Sequence, residues 1–487
     1  MAFFKKFMSQ APEDEPTSAF PDDDVYPVHI SDDTKTMRSI LIAWTLCFND
    51  VLDADKLQSS LATLLDTGDW RKLGGRLRLN SSRRLEIHVP RAFSAQRPAF
   101  SFSHENMNMA IEDHTVAKDL PRPNGKVTQY PRPDVFADFS ARSDAPTTLQ
   151  DLLAGDTPQI SVHITSFTNA TLVGLSWPHT IMDVMGQQAF LEAWSLVLAG
   201  HESSVPPVLG AREDALCTLT SDPNSPQDSY MLNSQRLAGL SMIKFGARFT
   251  WDMLTQPASS TRTVCLPKTT LSALRLQAQK DIPATEFISD GDILAAWTIR
   301  AVSSSLPSPR PVTALHAMNA RFRLPSLLNA KGVYLQNMLV PGFTFISPTI
   351  ARGPIGPIAL DNRQRLLAQA TESQVLAALR ELRIIGDTGT LLFGEPDAVL
   401  VPFTDWTKAK FFEKADFSPA VTKVEGVEGR VNGKGRPWFQ HCSSRKATQG
   451  TRFMVVILGR DEGGNTWLTL TLPEAAWKEI EGSLEGL

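Results

Sequence analysis

The sequence predicts an α/β protein made of two halves of similar size, and three observations support this prediction. Strand-like and helix-like stretches alternate along most of the chain. A segment interrupted by Pro206-Pro207, Pro223 and Pro226 has few long apolar runs and is typical of a connection between two halves. The chain has 487 residues, of which 42% are hydrophobic, so it is long enough for two or three domains whose cores need no disulfides.

The first half opens with a strand and then a helix. Residues 40–48 (ILIAWTLCF) have the apolar character of a strand, and Asp53 or Asp55 offers an N-cap for a helix whose leucines recur at helical spacing. A turn through Gly74-Gly75 leads into a further strand. Residues 90–155 are rich in Pro, Asp and Ser, so we expect a short helix and a long surface loop there.

A β-hairpin is the clearest local signal. Residues 160–165 and 171–177 are strand-like, and Asn169 supplies turn chemistry between them. The second strand ends at Pro178, and an apolar helical stripe follows until Gly200. The hairpin therefore delivers the chain from the end of a strand directly into a helix.

The second half continues the alternation of strands and helices. From Thr263 the pattern predicts a strand and then a helix, and Ser289 or Asp290 caps the next helix. The C-terminal part is predicted as a hairpin through Gly463-Gly464-Asn465, followed by a helix that starts at Pro473. The remaining predicted elements are a strand at 312–318, a helical stretch at 360–384, and the hairpin strands 453–458 and 467–472.

Composition and absent motifs exclude several classes of function. The net charge of -4 argues against a nucleic-acid partner, and the four cysteines lie too far apart for a zinc site or a disulfide framework. The nine histidines are scattered, so we expect no metal. No apolar run is long enough to span a membrane and the first residues lack a cleavage pattern, so we expect no membrane insertion and a cytoplasmic location. The G-x-S-x-G, Walker A and Rossmann fingerprints are also absent.

One constellation has the residue types of a catalytic site, Trp177-Pro178-His179-Thr180-Ile181-Met182-Asp183. Pro178 favours extended geometry before it, so His179 lies where a strand ends and a helix begins. An imidazole suits general-base catalysis near neutral pH, which typically contributes about 10² to 10⁴ in rate. Asp183 lies one helical turn further on and either orients His179 or pairs with a distant cation. The spacing alone also fits a helix start that carries no chemistry.

Three further stretches accompany this motif along the chain. They are Asn319-Ala320-Arg321-Phe322-Arg323, Tyr334-Leu335-Gln336-Asn337, and Thr404-Asp405-Trp406 running into Asp416-Phe417. In content and order, the four motifs resemble those of the BAHD superfamily of acyl-CoA-dependent acyltransferases. The resemblance is strongest to the divergent fungal members that modify secondary metabolites.

The resemblance implies a fold and a reaction. Two chloramphenicol-acetyltransferase-like domains, 1–205 and 261–487, are expected to pack around a central channel, with 206–260 as the linker between them. The implied reaction moves an acyl group, short like acetyl, from acyl-CoA to a hydroxyl of a small secondary metabolite. Acyl-CoA is the implied co-substrate, no metal takes part, and the enzyme is expected to be a monomer.

The resemblance also implies roles for individual residues. His179 takes the proton of the acceptor, and Asp183 is a structural residue that pairs with Arg321. The other implied assignments are Thr404 as the oxyanion donor, Trp406 and Asn337 as substrate-binding residues, and Asp416 as a structural ion-pair partner.

The sequence departs from the family pattern at two motifs. Ser418-Pro419-Ala420 follows Asp416-Phe417 where the family has Gly-Trp-Gly, and Gln336 replaces the glycine of the Y-x-G-N turn. A glycine-rich stretch at 426–435, with Arg430, Lys434 and Arg436, either faces the cofactor phosphates or forms a hairpin turn.

Two alternatives to the CoA-dependent reaction stay open. A carrier-protein-dependent condensation or cyclisation enzyme has the same fold, but such enzymes usually carry H-H-x-x-x-D-G. Here Pro178 precedes His179 and Val184 follows Asp183, which favours the CoA-dependent type. The altered late motif also fits a non-acyl cyclase or a silent binding protein, and the intact His179 argues against the silent form.

Overall fold

The computed structural model describes residues 22–131, 133–386, 391–424, 430, 432–446 and 452–485. Its elements form the predicted α/β class. The strands are β1 (Asp24–Pro27), β2 (Leu41–Phe48), β3 (Asp50–Leu52), β4 (Arg76–Leu79), β5 (Leu85–Val89), β6 (Ser101–Asn106), β7 (Thr128–Pro131), β8 (Ser161–Ser166), β9 (Thr171–Pro178), β10 (Val208–Leu209), β11 (Ser259–Leu266), β12 (Val312–Asn319), β13 (Val333–Tyr334), β14 (Leu339–Ile346), β15 (Val399–Asp405), β16 (Val421–Val424), β17 (Pro437–Ser444), β18 (Met454–Arg460) and β19 (Thr466–Pro473). The helices are α1 (Lys35–Arg38), α2 (Ala54–Leu65), α3 (Leu149–Leu153), α4 (Val184–Leu198), α5 (Ala215–Ser221), α6 (Leu240–Thr255), α7 (Lys268–Lys280), α8 (Asp290–Ser305), α9 (Pro325–Leu328), α10 (Pro348–Ala351), α11 (Ile355–Gln369), α12 (Glu372–Ile385), α13 (Phe411–Lys414) and α14 (Glu474–Leu484).

Two large sheets organise these elements. The first has five strands in the order β17-β2-β9-β8-β6, and the second has seven in the order β14-β12-β15-β18-β19-β11-β7. Helices α2 and α4 pack on the five-stranded sheet and close one apolar core. Helices α8, α11 and α14 close a separate core on the seven-stranded sheet. Each sheet therefore has its own helical layer, as expected for two domains.

The two sheets exchange strands. The first half of the chain contributes β7, which pairs with β11 at the edge of the seven-stranded sheet. The second half contributes β17, which pairs with β2 in the five-stranded sheet, and β16, which pairs with β3. The predicted division into 1–205, 206–260 and 261–487 therefore describes the order along the chain, whereas the sheets themselves interlock across it.

The strongly patterned elements of the first half form where the sequence predicts them. The strand predicted at 40–48 is β2, and Asp53 caps α2 by accepting a hydrogen bond from the Lys56 backbone N–H at 3.0 Å. The four leucines of α2 face the core because they recur at helical spacing. The predicted hairpin is β8 and β9, and His163 on β8 is opposite Gly174 on β9.

The prediction for residues 90–155 is incomplete. The short helix is α3, whose capping box joins Thr148 and Asp151, but this region also holds β6 and β7. Both strands lie at the edges of their sheets, and β6 (SFSHEN) has no buried residue. An edge strand of this kind takes its stability from pairing with a neighbour, so its own residues carry no apolar alternation.

The second half also differs from the prediction in two places. The helical stretch predicted at 360–384 is two helices, because Thr371 caps α12 after α11 has ended at Gln369. The strand β14 was not predicted, since Pro341 and Gly342 interrupt its apolar pattern. This strand is at the edge of its sheet, where a proline is tolerated.

The connection from β9 to α4 lies between the two halves. Residues 179–183 contact the segment 335–338, which leads into β14 of the seven-stranded sheet. Within the described ranges, no helix has both the length and the apolar character needed to cross a bilayer.

Candidate active site

His179 is the first residue after the hairpin. Its backbone N–H donates to the Ile40 carbonyl at 2.9 Å, which continues the pairing of Pro178 with Leu41. The sheet therefore holds the backbone of His179 on its N-terminal side. Pro178 has no N–H to contribute, so the hydrogen bond from His179 is the one that extends the pairing with β2 beyond Pro178.

The imidazole of His179 is half-buried and has no ion pair within the part of the chain that the structure describes. Its Nδ1 atom is buried and has no hydrogen-bond partner among the described residues. Burial lowers the pKa of His179 below its ordinary value of 6.5, and its own backbone, Asp183 and Asn337 only partly oppose this effect. The ring is therefore neutral at neutral pH, which is the form that accepts a proton.

Asp183 faces away from the imidazole and caps α4. Its Oδ1 accepts hydrogen bonds from the backbone N–H groups of Met185 at 3.1 Å and Gly186 at 3.0 Å. Its Oδ2 accepts from Arg321 Nη1 at 2.6 Å and from the Met338 N–H at 3.1 Å. Of the two roles that the spacing left open, these contacts fit the pairing with a distant cation.

Arg321 joins this carboxylate to the loop before β14. Its Nη2 donates to the carbonyls of Tyr334 at 2.8 Å and Gln336 at 2.6 Å. Gln336, which replaces the glycine of the family turn, donates to Asp214 Oδ1 at 2.8 Å and so fastens the same loop to the start of α5. The departure from the family pattern therefore adds a contact at this position.

Asn337 is placed behind His179. Its Nδ2 donates to the His179 carbonyl at 2.8 Å and to Asp32 Oδ1 at 2.7 Å, and its side chain is almost fully buried. Both protons of the amide are therefore used within the protein. The prediction that Asn337 binds substrate differs from this arrangement, in which it supports the histidine.

Thr404 and Trp406 follow one another at the end of β15. The indole Nε1–H of Trp406 donates to Thr404 Oγ1 at 3.0 Å, and the indole ring packs on Phe411 with ring centroids 6.2 Å apart. Thr404 lines a cavity and Trp406 does not. Because the threonine oxygen already accepts from the indole, its own proton is free to point elsewhere.

The cavity beside Thr404 has a volume of about 420 Å³. Its walls come from both halves of the chain, because Val184 and Met185 at the start of α4 lie opposite Asn319 and Thr404. A cavity with walls from two domains is a common location for a ligand site.

Two positively charged side chains, Arg323 and Lys408, line this cavity. Arg323 donates to the Asn319 carbonyl at 2.7 Å and has no carboxylate partner in the described part of the chain. Lys408 lies over the Phe322 ring at 4.3 Å. Burial lowers the pKa of Lys408, the neighbouring charge of Arg323 lowers it further, and Asp405 opposes both effects. Two mutually repelling cations at one cavity indicate a place for an anion.

The late motif lies in the packing of the five-stranded sheet. Asp416 pairs with Arg436 at 3.0 Å, and Phe417 stacks on Phe48 with ring centroids 5.2 Å apart. In the adjoining glycine-rich stretch, residues 425–429 and 431 lie outside the described ranges, and Arg430 pairs with Asp50 at 2.8 Å. Two of the three cations considered for phosphate binding are thus already paired with carboxylates.

Two residues at this site have no signal in the sequence: Asp32, which contacts Asn337, and Lys408, which lines the cavity. Arg323 belongs to one of the four motifs, but the motif did not predict that its side chain lines the cavity. His163, the other histidine near the hairpin, is buried, with Nδ1 2.8 Å from Ser103 Oγ. Over the described ranges, no cluster of three or more His, Cys, Asp or Glu side chains suits a metal ion.

Comparison with other proteins identifies relatives of full length. No protein-family model matches the sequence. The O-acetyltransferase PaAT-2 of Phomopsis amygdali is 34% identical over 486 residues, which cover 96% of this chain and 99% of that protein. Acetyltransferase BOT5 of Botryotinia fuckeliana is 35% identical over 494 residues, covering 95% of this chain and 91% of that protein. A third relative, transcriptional regulator calD of Penicillium decumbens, is 33% identical over 99% of each chain.

Solved structures share the fold. TRI101 of F. sporotrichioides, in a complex with coenzyme A and T-2, aligns with a TM-score of 0.66 at 14% identity and covers 94% of this chain and 97% of that one. Vinorine synthase aligns with a TM-score of 0.59 at 16% identity, covering 97% of this chain and 96% of that one. Both are BAHD acyltransferases, so the predicted architecture of two chloramphenicol-acetyltransferase-like domains is confirmed.

Removal of the Asp183 carboxylate is expected to destabilise the fold. Asp183→Ala removes a helix cap and leaves Arg321, which is only 11% exposed, without its anion. We expect a loss of about 3 to 5 kcal/mol in the free energy of unfolding, measured by urea denaturation.

The matched control is Asp416→Ala, which breaks an ion pair between side chains that are 41% and 25% exposed. This variant is expected to lose less than about 1 kcal/mol. Similar small losses in both variants would contradict the buried role of Asp183.

Proposed function

We propose a mechanism from the premise that the chain belongs to the family of fungal acetyltransferases with the BAHD fold. It is an acyl-CoA-dependent O-acyltransferase that acts on a secondary metabolite. In the proposed mechanism the acyl group is short, like acetyl, and the reaction takes place at His179. We also propose that the enzyme acts as a monomer, as the family resemblance implies.

The environment of His179 is the observation that supports this mechanism most directly. The ring is neutral at neutral pH, and the nearby carboxylate of Asp183 is turned away to Arg321. An imidazole that is not already ion-paired keeps its full capacity to take a proton from an acceptor. The hydrogen bonds to Ile40 and Asn337 hold its backbone on both sides.

The proposed reaction follows from this geometry. His179 Nε2 takes the proton of the acceptor hydroxyl as the oxygen attacks the thioester carbonyl. The carbonyl becomes a tetrahedral oxyanion, and the free hydroxyl proton of Thr404 donates to it. Collapse of this intermediate breaks the carbon–sulfur bond, and the imidazolium returns its proton to the leaving thiolate. Loss of one such oxyanion donor typically costs about 10² to 10³ in turnover.

Trp406 has an indirect part in this proposal. Its indole fixes the Thr404 oxygen at 3.0 Å and packs on Phe411, so the threonine rotamer is held before substrate arrives. A donor that is already oriented costs no reorganisation at the moment of reaction.

The cavity cations support coenzyme A as the acyl donor. Arg323 and Lys408 lie at the cavity that Thr404 lines, and neither has an ion pair in the described part of the chain that would fully neutralise it. Asp292 and Asp405 also line this cavity, but neither forms an ion pair with either cation in the described part of the chain, so phosphates of coenzyme A can pair with these two cations. A carrier protein delivers only a phosphopantetheine arm, which has fewer phosphates, so the cations favour the CoA-dependent reaction over the condensation type.

The name of the relative from P. decumbens suggests gene regulation as a second function. Binding to nucleic acid draws its affinity from Lys and Arg that neutralise phosphates, and the net charge of this chain is -4. The neutral imidazole of His179 and a cavity with walls from both domains have no use in such a function. These observations favour the enzyme.

Acceptor-dependent release of thiol from acetyl-CoA tests the role of His179. We expect wild type to release free thiol with a panel of hydroxylated polyketides and terpenoids, and His179→Ala to lose at least about 10² in rate, because the general base is gone. Mass detection of the acylated product identifies the acceptor.

The control for this experiment is His104→Ala, which removes an exposed histidine whose side chain hydrogen-bonds Ser166 at the edge of the sheet. It is expected to keep the wild-type rate. Equal thiol release with and without His179 would refute the mechanism. Turnover of a carrier-protein thioester, with none of acetyl-CoA, would instead support the condensation-type alternative.

The pH dependence of kcat/KM reports the ionisation of His179. Only the neutral imidazole accepts a proton, so kcat/KM falls as the pH drops through the pKa of His179. Burial lowers this pKa, so we expect the acid limb to have its midpoint below pH 6.5. An acid limb at or above pH 6.5 would contradict the buried, neutral state of the base.

A comparison of acetyl-CoA with an acyl donor that has no phosphate tests whether Arg323 and Lys408 bind the phosphates of coenzyme A. Arg323→Ala and Lys408→Ala are each expected to raise the KM for acetyl-CoA about 10- to 100-fold, because a charge-assisted contact to phosphate is lost. The KM for S-acetyl-pantetheine, which has no phosphate, is expected to stay within about twofold of wild type. Arg365→Ala is the control, since Arg365 pairs with Asp361 on an exposed helix face and does not line this cavity. Equal effects on both donors would refute a phosphate contact.

A further inference from the structure

Asp32 is a buried carboxylate for which the reaction described above has no use. It lies in the turn before α1, where its N–H donates to the His29 carbonyl at 3.0 Å, and it is 2% exposed. A carboxylate is rarely buried this deeply without a partner, because the loss of hydration is costly. Its partner is therefore a guide to its role.

That partner is Asn337, which bonds to Asp32 through two groups. The backbone N–H and the side-chain Nδ2 of Asn337 both donate to Asp32 Oδ1, each at 2.7 Å. The remaining proton on Nδ2 donates to the His179 carbonyl at 2.8 Å. Asp32, Asn337 and His179 thus form a continuous chain of hydrogen bonds from the N-terminal loop to the base.

The Nδ2 bonds to Asp32 and to the His179 carbonyl fix which way the amide of Asn337 is turned. A carboxylate oxygen in this position only accepts, so the amide must present its NH₂ group to Asp32 and its Oδ1 to the other side. Asn337 Oδ1 is buried and has no direct partner in the described chain, and His179 Nδ1 is buried and unpartnered as well. The amide also raises the pKa of His179, so the two side chains interact.

We propose that Asp32 is a positioning residue for His179 and acts through Asn337. By fixing the amide, it holds the backbone of the base and turns Asn337 Oδ1 towards the ring, which keeps the proton on Nδ1 and leaves Nε2 as the proton acceptor. This inference rests on the proposed function, in which Nε2 takes the proton of the acceptor hydroxyl.

In this proposal Asp32 positions Asn337 through its acceptor atom Oδ1, and the charge of the carboxyl group is not required. Burial raises the pKa of Asp32 to about 7 and Asp214 contributes in the same direction, while Lys72 and the bonds from Asn337 oppose the rise. His29, which also borders this group, bonds with Nε2 to the Gly210 carbonyl. Because both bonds from Asn337 fall on Oδ1, a proton on Oδ2 leaves them in place. The proposal therefore adds no titration of its own to the pH profile.

Two variants at Asp32 separate the acceptor from the charge. Asp32→Leu removes the acceptor, and we expect kcat to fall about 10- to 100-fold with the KM for acetyl-CoA within about twofold, because the base is misplaced while the donor site is untouched. Asp32→Asn keeps an oxygen acceptor, and we expect it to restore kcat to within about threefold of wild type. Should Asp32→Leu fail to fold, Asp32→Ala removes the same acceptor without the larger side chain.

The neighbouring residue supplies a matched control. Asp33 is also a fully buried carboxylate, but it pairs with Arg38 and Arg84, whereas the hydrogen bonds of Asn337 go to Asp32 and His179. Asp33→Leu is expected to lower stability and to leave kcat within about twofold of wild type in the folded protein. A similar fall in kcat for Asp33→Leu and Asp32→Leu would overturn the proposal, because any buried carboxylate would then matter equally.

A double variant that combines Asp32→Leu with Asn337→Ala tests whether Asp32 acts on His179 through Asn337. If Asp32 acts through Asn337, then Asp32→Leu combined with Asn337→Ala loses no more activity than Asn337→Ala alone. Both single variants are expected to move the acid limb of kcat/KM to lower pH, since the amide that raises the pKa of His179 is lost or displaced. Additive losses with an unmoved acid limb would show that Asp32 is only structural.

Different results would overturn the general-base mechanism and the role of Asp32. If His179→Ala keeps full thiol release, the general-base mechanism is wrong and the role of Asp32 as a positioning residue for the base is overturned with it. If His179→Ala is inactive while Asp32→Leu keeps the wild-type kcat, the mechanism stands and only the role of Asp32 is overturned.

Discussion

The ion pair between Asp183 and Arg321 is the interaction on which the rest of the site depends. It joins the connection after β9, in the first half of the chain, to the loop before β14, in the second half. Both charges are largely removed from water, so neither is stable there without the other. Because Arg321 also holds two carbonyls of that loop, one pair of side chains sets the relative position of the base and the residues behind it.

The polar residues near His179 have different roles in this arrangement. Asp183 contributes structure and leaves the imidazole without an ion pair, and burial then keeps the ring neutral. Asn337 donates both amide protons within the protein, one to the backbone carbonyl of His179 and one to Asp32. The result is a base whose proton affinity is set by its surroundings and whose position is set by hydrogen bonds on both sides.

The exchanged strands link the two halves of the chain through backbone hydrogen bonds. With β7 in the second sheet and β17 in the first, the halves cannot separate without breaking a sheet. Local pattern predicts the central strands and the long helices, since β2 and β9 are nearly continuous buried runs and α2 buries one regular face. Pattern fails at the edges: β6 has no buried residue, and β14 contains Pro341 and Gly342, so only pairing with a neighbour makes them strands.

The sequence by itself determined the elements with a periodic apolar face, the strand-to-helix placement of His179, and, through motif order, the family and its reaction. The Arg321 partner of Asp183 also followed from motif order. Only the tertiary structure decided that Asn337 supports the base, that Trp406 holds Thr404, and that Asp32, Arg323 and Lys408 belong to the site. The physical reason is distance along the chain: 305 residues separate Asp32 from Asn337, and a single buried polar residue in a loop has no period that could reveal its partner.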